Sequence, residues 1–97
     1  MRMMVRWTVP VNKGNKAIVD GSLPRLLDAM REKLKPEAAY YWPEGGDRGG
    51  LMVFDMADAS EIAQIAEPLF NELDAAVEFV PVMNADDLRR ALEKARG

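Results

Sequence analysis

The segment Met3-Met4-Val5-Arg6-Trp7-Thr8-Val9-Pro10 predicts a β-strand with two very different faces. Successive side chains of a strand point to opposite faces. One face is entirely apolar and consists of Val5, Trp7 and Val9. The other face carries Arg6 in mid-strand, between Met4 and Thr8. An arginine in this position requires an anionic partner, and the neighbouring strands are the nearest source of one.

The length and composition indicate one ordinary globular domain over residues 1–97. A chain of 97 residues can bury roughly 60–65% of its unfolded surface, which is enough for one core. Hydrophobic residues make up 48% of the sequence and charged residues 30%, as is typical of globular proteins. No stretch is apolar over the length of a membrane span and none has the pattern of a secretion signal, so we expect a cytoplasmic protein with no membrane partner.

The residue types that are missing exclude several kinds of site. The sequence contains no cysteine and no histidine, which removes disulfides, thiol nucleophiles, histidine bases and the commonest transition-metal ligands. We therefore expect no metal and no cofactor. The net charge of −3 argues against a nucleic-acid partner, because binding to phosphates requires a basic surface.

Apolar spacing predicts one long helix in the first half of the chain. After a polar turn at residues 11–15, a short helical piece is predicted at residues 16–20, and Gly21 interrupts it. Apolar residues then recur at spacings of three and four over residues 23–35, which is the pattern of a helix with one buried face. Pro36 ends this helix.

Two strands joined by a glycine-rich turn are predicted next. Residues 38–42 are rich in aromatic side chains that favour strands, and residues 51–56 are almost entirely apolar. The turn between them, residues 44–50, contains four glycines. It is not expected to bind phosphate, because no helix follows it and the lysine-serine/threonine signature of a phosphate loop is absent.

The last part of the chain predicts a helix, a strand and a second helix. The segment Asp58-Ala59-Ser60-Glu61 has the pattern of a capping box. Pro68 predicts a kink or break in the helix that follows. Residues 76–83 alternate like a strand, and Pro81 is expected either to place it at a sheet edge or to be its frayed end. Asn84 then caps a last helix, which we expect to pack on a surface that is already formed.

The order strand, helix, strand, strand, helix, strand predicts an α+β fold of the ferredoxin-like type, with an extra C-terminal helix. In the usual strand order, 4-1-3-2, the first strand lies between the third and the fourth of an antiparallel sheet, and the helices cover one face. We call the other one the open face. Its predicted members are Met4, Arg6, Thr8, Leu51, Val53, Asp55, Glu78, Val80, Val82 and alternate residues of 40–42. Because this face is largely apolar, we expect a second copy to cover it in a homodimer.

Three motifs resemble a known superfamily. They are Met-Val-Arg-Trp-Thr-Val-Pro at residues 4–10, the Tyr-Tyr-Trp strand at 40–42, and Val-Glu-Phe-Val-Pro-Val-Met at 77–83. In these the chain resembles small bacterial proteins of unknown function in the dimeric α+β barrel superfamily. The resemblance implies a barrel made of two sheets, with ligands inside it or between sheet and helices. Relatives there include cofactor-independent monooxygenases, lyases, stress-responsive proteins and haem-degrading enzymes; the lack of histidine excludes the haem-handling kind.

Arg6 and its expected neighbours form the first candidate ligand-binding site. Asp55 and Glu78 lie on the two predicted neighbouring strands and on the same face as Arg6, where carboxylates can accept from its guanidinium. Two interpretations remain open. The three groups form an ionic network inside the dimer interface, or they line a pocket in which Arg6 holds an anionic or carbonyl substrate and a carboxylate moves a proton.

The aromatic residues Tyr40, Tyr41 and Trp42 form the second candidate site. They either pack in the core and at the edge of the sheet, or form one wall of a pocket with a tyrosine hydroxyl as its polar group. Trp7 is expected to be a core residue.

Two functions therefore remain open. One is a small-molecule-binding domain, with a cofactor-independent enzyme as its catalytic version, and the other is a non-catalytic stress-associated or structural dimer.

Overall fold

A computed structural model of the protein describes all 97 residues. Four strands and four helices follow one another along the chain. They are β1 (Arg2–Val9), α1 (Val11–Asp20), α2 (Ser22–Leu34), β2 (Ala38–Glu44), β3 (Asp47–Asp55), α3 (Glu61–Leu73), β4 (Ala76–Pro81) and α4 (Ala85–Ala95). The predicted α+β class is confirmed.

The strands form one antiparallel sheet in the order β2-β3-β1-β4. β1 therefore lies between β3 and β4, as predicted, and Val5 faces Met52 on one side and Phe79 on the other. β4 is an edge strand that ends at Pro81, which agrees with the missing N–H of proline. The bounds of β4 are two residues shorter than the predicted strand.

The core lies between α1, α2, α3 and one face of the sheet. Burial along β1 alternates strictly, with every second side chain buried. The largest fully buried side chains are Phe54, Met52, Leu69, Leu73, Val5 and Val9. The alternation places the remaining side chains of β1 on the open face, together with those of Leu51, Val53, Glu78 and Val80. The predicted division of the sheet into two faces is confirmed.

The glycine-rich turn is much shorter than predicted. β2 extends to Glu44 and β3 begins at Asp47, so only Gly45 and Gly46 form the loop, with φ of 58° and 89°. A two-residue loop with both φ values positive is a common β-hairpin connection that favours glycine. The other two glycines of the predicted turn lie within β3 and are buried. At Gly50 the rings of Trp7 and Tyr41 occupy the space that a side chain would need, and at Gly49 the β-carbon of Glu44 and backbone carbonyl groups occupy it.

The helix after Pro10 begins five residues earlier than predicted. α1 starts at Val11, so residues 11–15 form its first turns and not a polar loop. Gly14 is buried there, and a β-carbon on it would lie 2.7 Å from Nη1 of Arg48. The close approach of Arg48 favours a glycine at this position in spite of the low helix propensity of glycine. Gly21, with φ of 81°, then separates α1 from α2.

The start of α3 agrees with its prediction, and the predicted break at Pro68 does not occur. Glu61 does reach back, and its carboxylate accepts from the N–H groups of Ala57 (2.7 Å) and Asp58 (3.0 Å). Asp58 in turn accepts from the Ser60 N–H at 3.1 Å, so Asp58 and Glu61 both cap N–H groups of this turn, as the capping-box pattern predicts. Ser60, the residue directly before the helix, caps no N–H group and donates to Asp58. The helix also continues through Pro68, so no break occurs there.

α4 begins as predicted but does not pack as predicted. Asn84 and Asp87 form a complete capping box: the Asn84 side chain accepts from the Asp87 N–H at 2.8 Å, and Asp87 accepts from the Asn84 N–H at 3.1 Å. No residue of α4 is buried, however, so the expected docking surface is absent from this chain. None of the four helices is long and apolar enough to cross a membrane.

Candidate functional site

The principal concavity of the molecule lies at one end of the core, between α1, α2 and the β2–β3 hairpin. Its volume is about 600 Å³. The side chains that matter for its chemistry are Trp7, Leu23, Leu27, Tyr41, Asn15 and Arg48. We call this site the cleft. It lies on the helix side of the sheet, opposite to the open face.

Two aromatic rings form one wall of the cleft. Trp7 of β1 and Tyr41 of β2 belong to alternate strands of the sheet and are separated by β3. Their ring centroids lie 6.3 Å apart and the ring planes meet at 59°, a tilted arrangement that aromatic pairs favour. They can lie this close because Gly50, directly between them on β3, has no side chain. Trp7 is a core residue, as predicted, and also lines the cleft.

The hydroxyl group of Tyr41 is held by α2. Nη1 of Arg31 donates to it at 2.5 Å, and the guanidinium carbon lies 6.0 Å from the centre of the tyrosine ring. This hydrogen bond raises the pKa of Arg31, with a smaller contribution from nearby Asp28. Tyr41 therefore has its polar group engaged by Arg31 and its ring against the cleft.

Arg48 is the cation of the cleft, and it has no anionic partner. Its Nη1 donates to Oδ1 of Asn15 at 3.1 Å, and no carboxylate forms an ion pair with it. Asp47, the neighbour of Arg48 in β3, also lines the cleft, but it forms no ion pair with Arg48. A guanidinium has five N–H donors, so most of those of Arg48 remain free for a ligand.

Arg6 does meet two carboxylates, but one of them differs from the prediction. Its Nη2 lies 3.2 Å from Oε1 of Glu44, and its Nε lies 3.8 Å from Oε1 of Glu78. Glu78 is the predicted neighbour on β4. The group is on the open face, and Arg6 lines none of the four principal cavities.

The predicted contact between Arg6 and Asp55 is wrong. The register pairs Arg6 with Leu51, while Asp55 lies opposite Arg2 at the other end of the strand. Asp55 binds the amino group of Met1 at 2.8 Å, and this hydrogen bond holds the pKa of the carboxyl group below its ordinary value. Two residues on the same face of a sheet are therefore not necessarily in contact. Asp55 lies four residues along β3 from Leu51, the partner of Arg6, and four residues of a strand span about 13 Å.

The aromatic strand divides between the two sides of the sheet. Tyr41 lies on the helix side, and Tyr40 lies on the open face, where 65% of its surface is exposed. Trp42 pairs with Gly49, lines one edge of the cleft and donates from Nε1 to Oε2 of Glu44 at 2.5 Å. The structure thus brings the ring of Tyr41 to the cleft, whereas Trp42 has the strand parity of Tyr40 and is linked through Glu44 to Arg6 on the open face. Asp55 lies apart from both groups, and that any of these residues binds a ligand stays a prediction.

Sequence reasoning missed Asn15 and Arg48. Both lie in segments that were predicted as loops, and they come together only because α1 starts early and β3 extends to the hairpin. The buried Gly14 beside Arg48 is the one signal in this region, and it needs the fold to be understood.

No group of three or more acidic, histidine or cysteine side chains is arranged to hold a metal ion. No curated protein matches the chain. Residues 1–96, which span nearly all of the sequence, match the family described as a domain of unknown function (DUF3303), and the chain therefore belongs to that family.

Proposed function

We propose that the protein is a small-molecule-binding domain whose cleft takes an organic anion with a flat apolar body. The observation that carries this proposal is the cleft itself. It combines an aromatic wall, Trp7 and Tyr41, with one guanidinium, Arg48, that lacks a carboxylate partner.

The size and lining of the cleft support this ligand class. A volume of about 600 Å³ falls within the range of roughly 300–1,000 Å³ that is usual for small-molecule sites. More than half of the lining residues are apolar, and Asn15, Asp47 and Arg48 add a few polar groups, which is the usual way in which a site fixes a ligand's orientation. Arginine binds carboxylates and related oxyanions through paired N–H groups.

The proposal concerns binding. Proton transfer by a cofactor-independent enzyme would require an acid or base at the ligand. Asp47 is the one carboxylate that lines the cleft, and the Tyr41 hydroxyl is already hydrogen-bonded to Arg31. Any catalytic version of the function would therefore depend on Asp47.

The test uses 8-anilinonaphthalene-1-sulfonate, a fluorescent aromatic anion. We expect saturable binding of one dye per chain, together with a shift of the Trp7 indole N–H resonance. Arg48→Gln should weaken binding at least about tenfold, since a charge-assisted hydrogen bond contributes about 1.5–3 kcal/mol. Arg25→Gln is the matched control because Arg25 is also exposed and does not line the cleft. Equal affinities for the two variants, or no saturable binding, would contradict the proposal.

A second part of the function concerns the open face, which we propose to be the interface of a homodimer. Its apolar side chains, among them Met4, Val53 and Val80, are only partly buried, and Tyr40 is largely exposed. Patches of this kind on monomers usually mark an interface. If the cleft binds nothing, this dimer would itself be the working form, as in a non-catalytic, stress-associated or structural module.

Sedimentation of the purified protein at micromolar concentration tests the dimer. The double variant Val53→Lys/Val80→Lys should shift the dimer to monomer, because it places two charges in the interface. Val19→Lys is the control, since Val19 lies on α1 and is 89% exposed. A wild-type chain that sediments as a monomer throughout the micromolar range would overturn the dimer and leave the cleft untouched.

A further inference from the structure

α4 carries an apolar stripe that nothing in its own chain covers. Its apolar residues recur at spacings of three, four and seven, so they lie along one side of the helix. They are Leu88, Ala91, Leu92 and Ala95. Leu88 is 45% exposed and Leu92 is 54% exposed. The rest of the helix surface is charged. An amphipathic helix of this kind normally has its apolar side against another surface.

α4 also stands away from the body of the molecule. The radius of gyration is 15.3 Å, whereas a compact chain of this length has about 12.5 Å. The longest dimension is 54 Å, against 26 and 17 Å for the others. α4 makes only sparse contact with the other elements, and an eleven-residue helix is marginal in water without tertiary packing. Packing against a surface outside its own chain would stabilise it.

The first turn of α4 fixes where the helix starts. Arg2, at the beginning of β1, pairs with Asp87 in that turn and with Glu37 just before β2. Arg2 belongs to the open face by the alternation of β1. The base of α4 is thus tied to the open face, which is the surface proposed to meet a second copy.

The charge of α4 indicates what it meets. Residues 89–97 carry four basic side chains and one acidic one, whereas residues 1–88 carry nine basic and fifteen acidic. The end of α4 is therefore positive and the body of the protein is negative. The body of a second copy of this chain has a net charge opposite to that of the end of α4, and this complementarity applies in both directions of a symmetric dimer.

We infer that α4 is an exchanged arm, which packs Leu88 and Leu92 against the body of the second copy in the homodimer. This inference rests on the homodimer proposed above. It adds α4 to the interface, since a contact between the two sheets alone would leave α4 uncovered. Lys94 and Arg96 then lie near acidic side chains of the partner. The cleft takes no part in the arrangement.

The first test measures the dissociation constant of the dimer by sedimentation for full-length variants. Leu88→Ala/Leu92→Ala should raise it at least tenfold, and the monomer should keep its fold because neither leucine is buried in it. Ile18→Ala/Val19→Ala is the matched control, since it truncates two exposed apolar residues on α1; we expect a change of less than twofold. Lys94→Glu/Arg96→Glu should also weaken the dimer, most strongly at low salt.

The second test locates α4 directly. The chain has no cysteine, so Lys94→Cys gives a single site for a nitroxide spin label. Labelled protein is mixed with unlabelled ¹⁵N protein, and broadening of amide signals in the body of the ¹⁵N copy is the expected result.

The outcomes separate the two proposals. A wild-type monomer overturns both the dimer and the exchanged arm. A dimer that resists the leucine variants and shows no broadening between copies leaves the sheet interface standing and overturns the arm. Binding of α4 to lipid vesicles or to a different protein, with the dimer unchanged by the leucine variants, also overturns the arm.

Discussion

Gly50 leaves the space that the indole of Trp7 occupies. A β-carbon on Gly50 would lie 2.5 Å from Cζ2 of Trp7 and 3.0 Å from Cδ1 of Tyr41. Trp7 is a rigid side chain that is almost fully buried, so it cannot yield without moving the core. Gly50→Ala should therefore lower the free energy of unfolding by about 1–3 kcal/mol, the usual effect of overpacking. Urea denaturation measures this change.

A double-mutant cycle identifies the cause of that loss. Trp7→Phe removes the part of the indole nearest to Gly50, at the expense of some core packing. If overpacking is the cause, Gly50→Ala should destabilise the Trp7→Phe protein by at least about 1 kcal/mol less than it destabilises the wild type. Additive effects would show that the loss comes from another source, such as a change in the unfolded chain.

The two faces of β1 could be predicted because alternation in a strand is a local property. In any strand at this position Val5 and Trp7 point to one face and Arg6 to the other. In the structure Val5 and Trp7 are buried and Arg6 is on the open face. The strand neighbours of Arg6 followed from the element order alone. The element order does not say how far along the neighbouring strand a residue lies. Glu78, which is paired with Arg6, was therefore predicted correctly, and Asp55, which is paired with Arg2, was not.

The cleft could not be predicted because its parts depend on tertiary contacts. Gly49 and Gly50 indicate a turn when they are considered locally, but in the fold both lie in β3, where Gly50 leaves room for the rings of Trp7 and Tyr41. Only then does Arg48 reach Asn15 on α1. The open side of α4 could not be foreseen either, since its pattern predicts packing without indicating which chain provides the surface.

Truncation of Tyr41 separates the role of its ring from that of its hydroxyl group. Tyr41→Phe keeps the aromatic wall and loses only the hydrogen bond from Arg31. It should change dye affinity less than threefold and lower stability by no more than about 1 kcal/mol, because the bond is exposed to water. Tyr41→Ala should weaken binding at least tenfold. Similar losses for both variants would mean that the hydroxyl group contacts the ligand.

The helicity of α4 should depend on pH through Asp87. The hydrogen bond from the Asn84 N–H, followed by the pairing with Arg2 and Arg90, holds the pKa of Asp87 below its ordinary value. The charged form is thus favoured in the folded state. The stabilisation is complete above the ordinary pKa of about 3.9 and is lost as the pH falls through the lower pKa of the folded state.

Chemical shifts of α4 between pH 7 and pH 2 measure this loss. Asp87→Asn should make the helix less ordered at neutral pH and flatten its dependence on pH. Asp86→Asn is the control from the same turn, since Asp86 pairs only with Arg89 and accepts from no N–H group of the cap. A wild-type profile in the Asp87→Asn protein would show that Asp87 does not hold the first turn.

Replacement of Arg6 should affect the dimer far more than the monomer. In a single chain the side chains of Arg6, Glu44 and Glu78 are 36%, 42% and 70% exposed. Water therefore screens the group, and Arg6→Met should change monomer stability by less than about 1 kcal/mol. In the proposed interface the two carboxylates would be buried without a cation, which is strongly unfavourable. The dissociation constant of the dimer should then rise at least about tenfold.

The triple variant Arg6→Met/Glu44→Gln/Glu78→Gln tests that explanation, because it removes the cation and both charges together. Sedimentation should show that most of the lost affinity returns, while the amide oxygen introduced by Glu44→Gln can still accept from the Trp42 indole. Dye binding should be unchanged throughout, since Arg6 does not line the cleft. Loss of dye binding in Arg6→Met with the dimer intact would instead make the open face the ligand site, and it would restore the pocket that the sequence first suggested around Arg6.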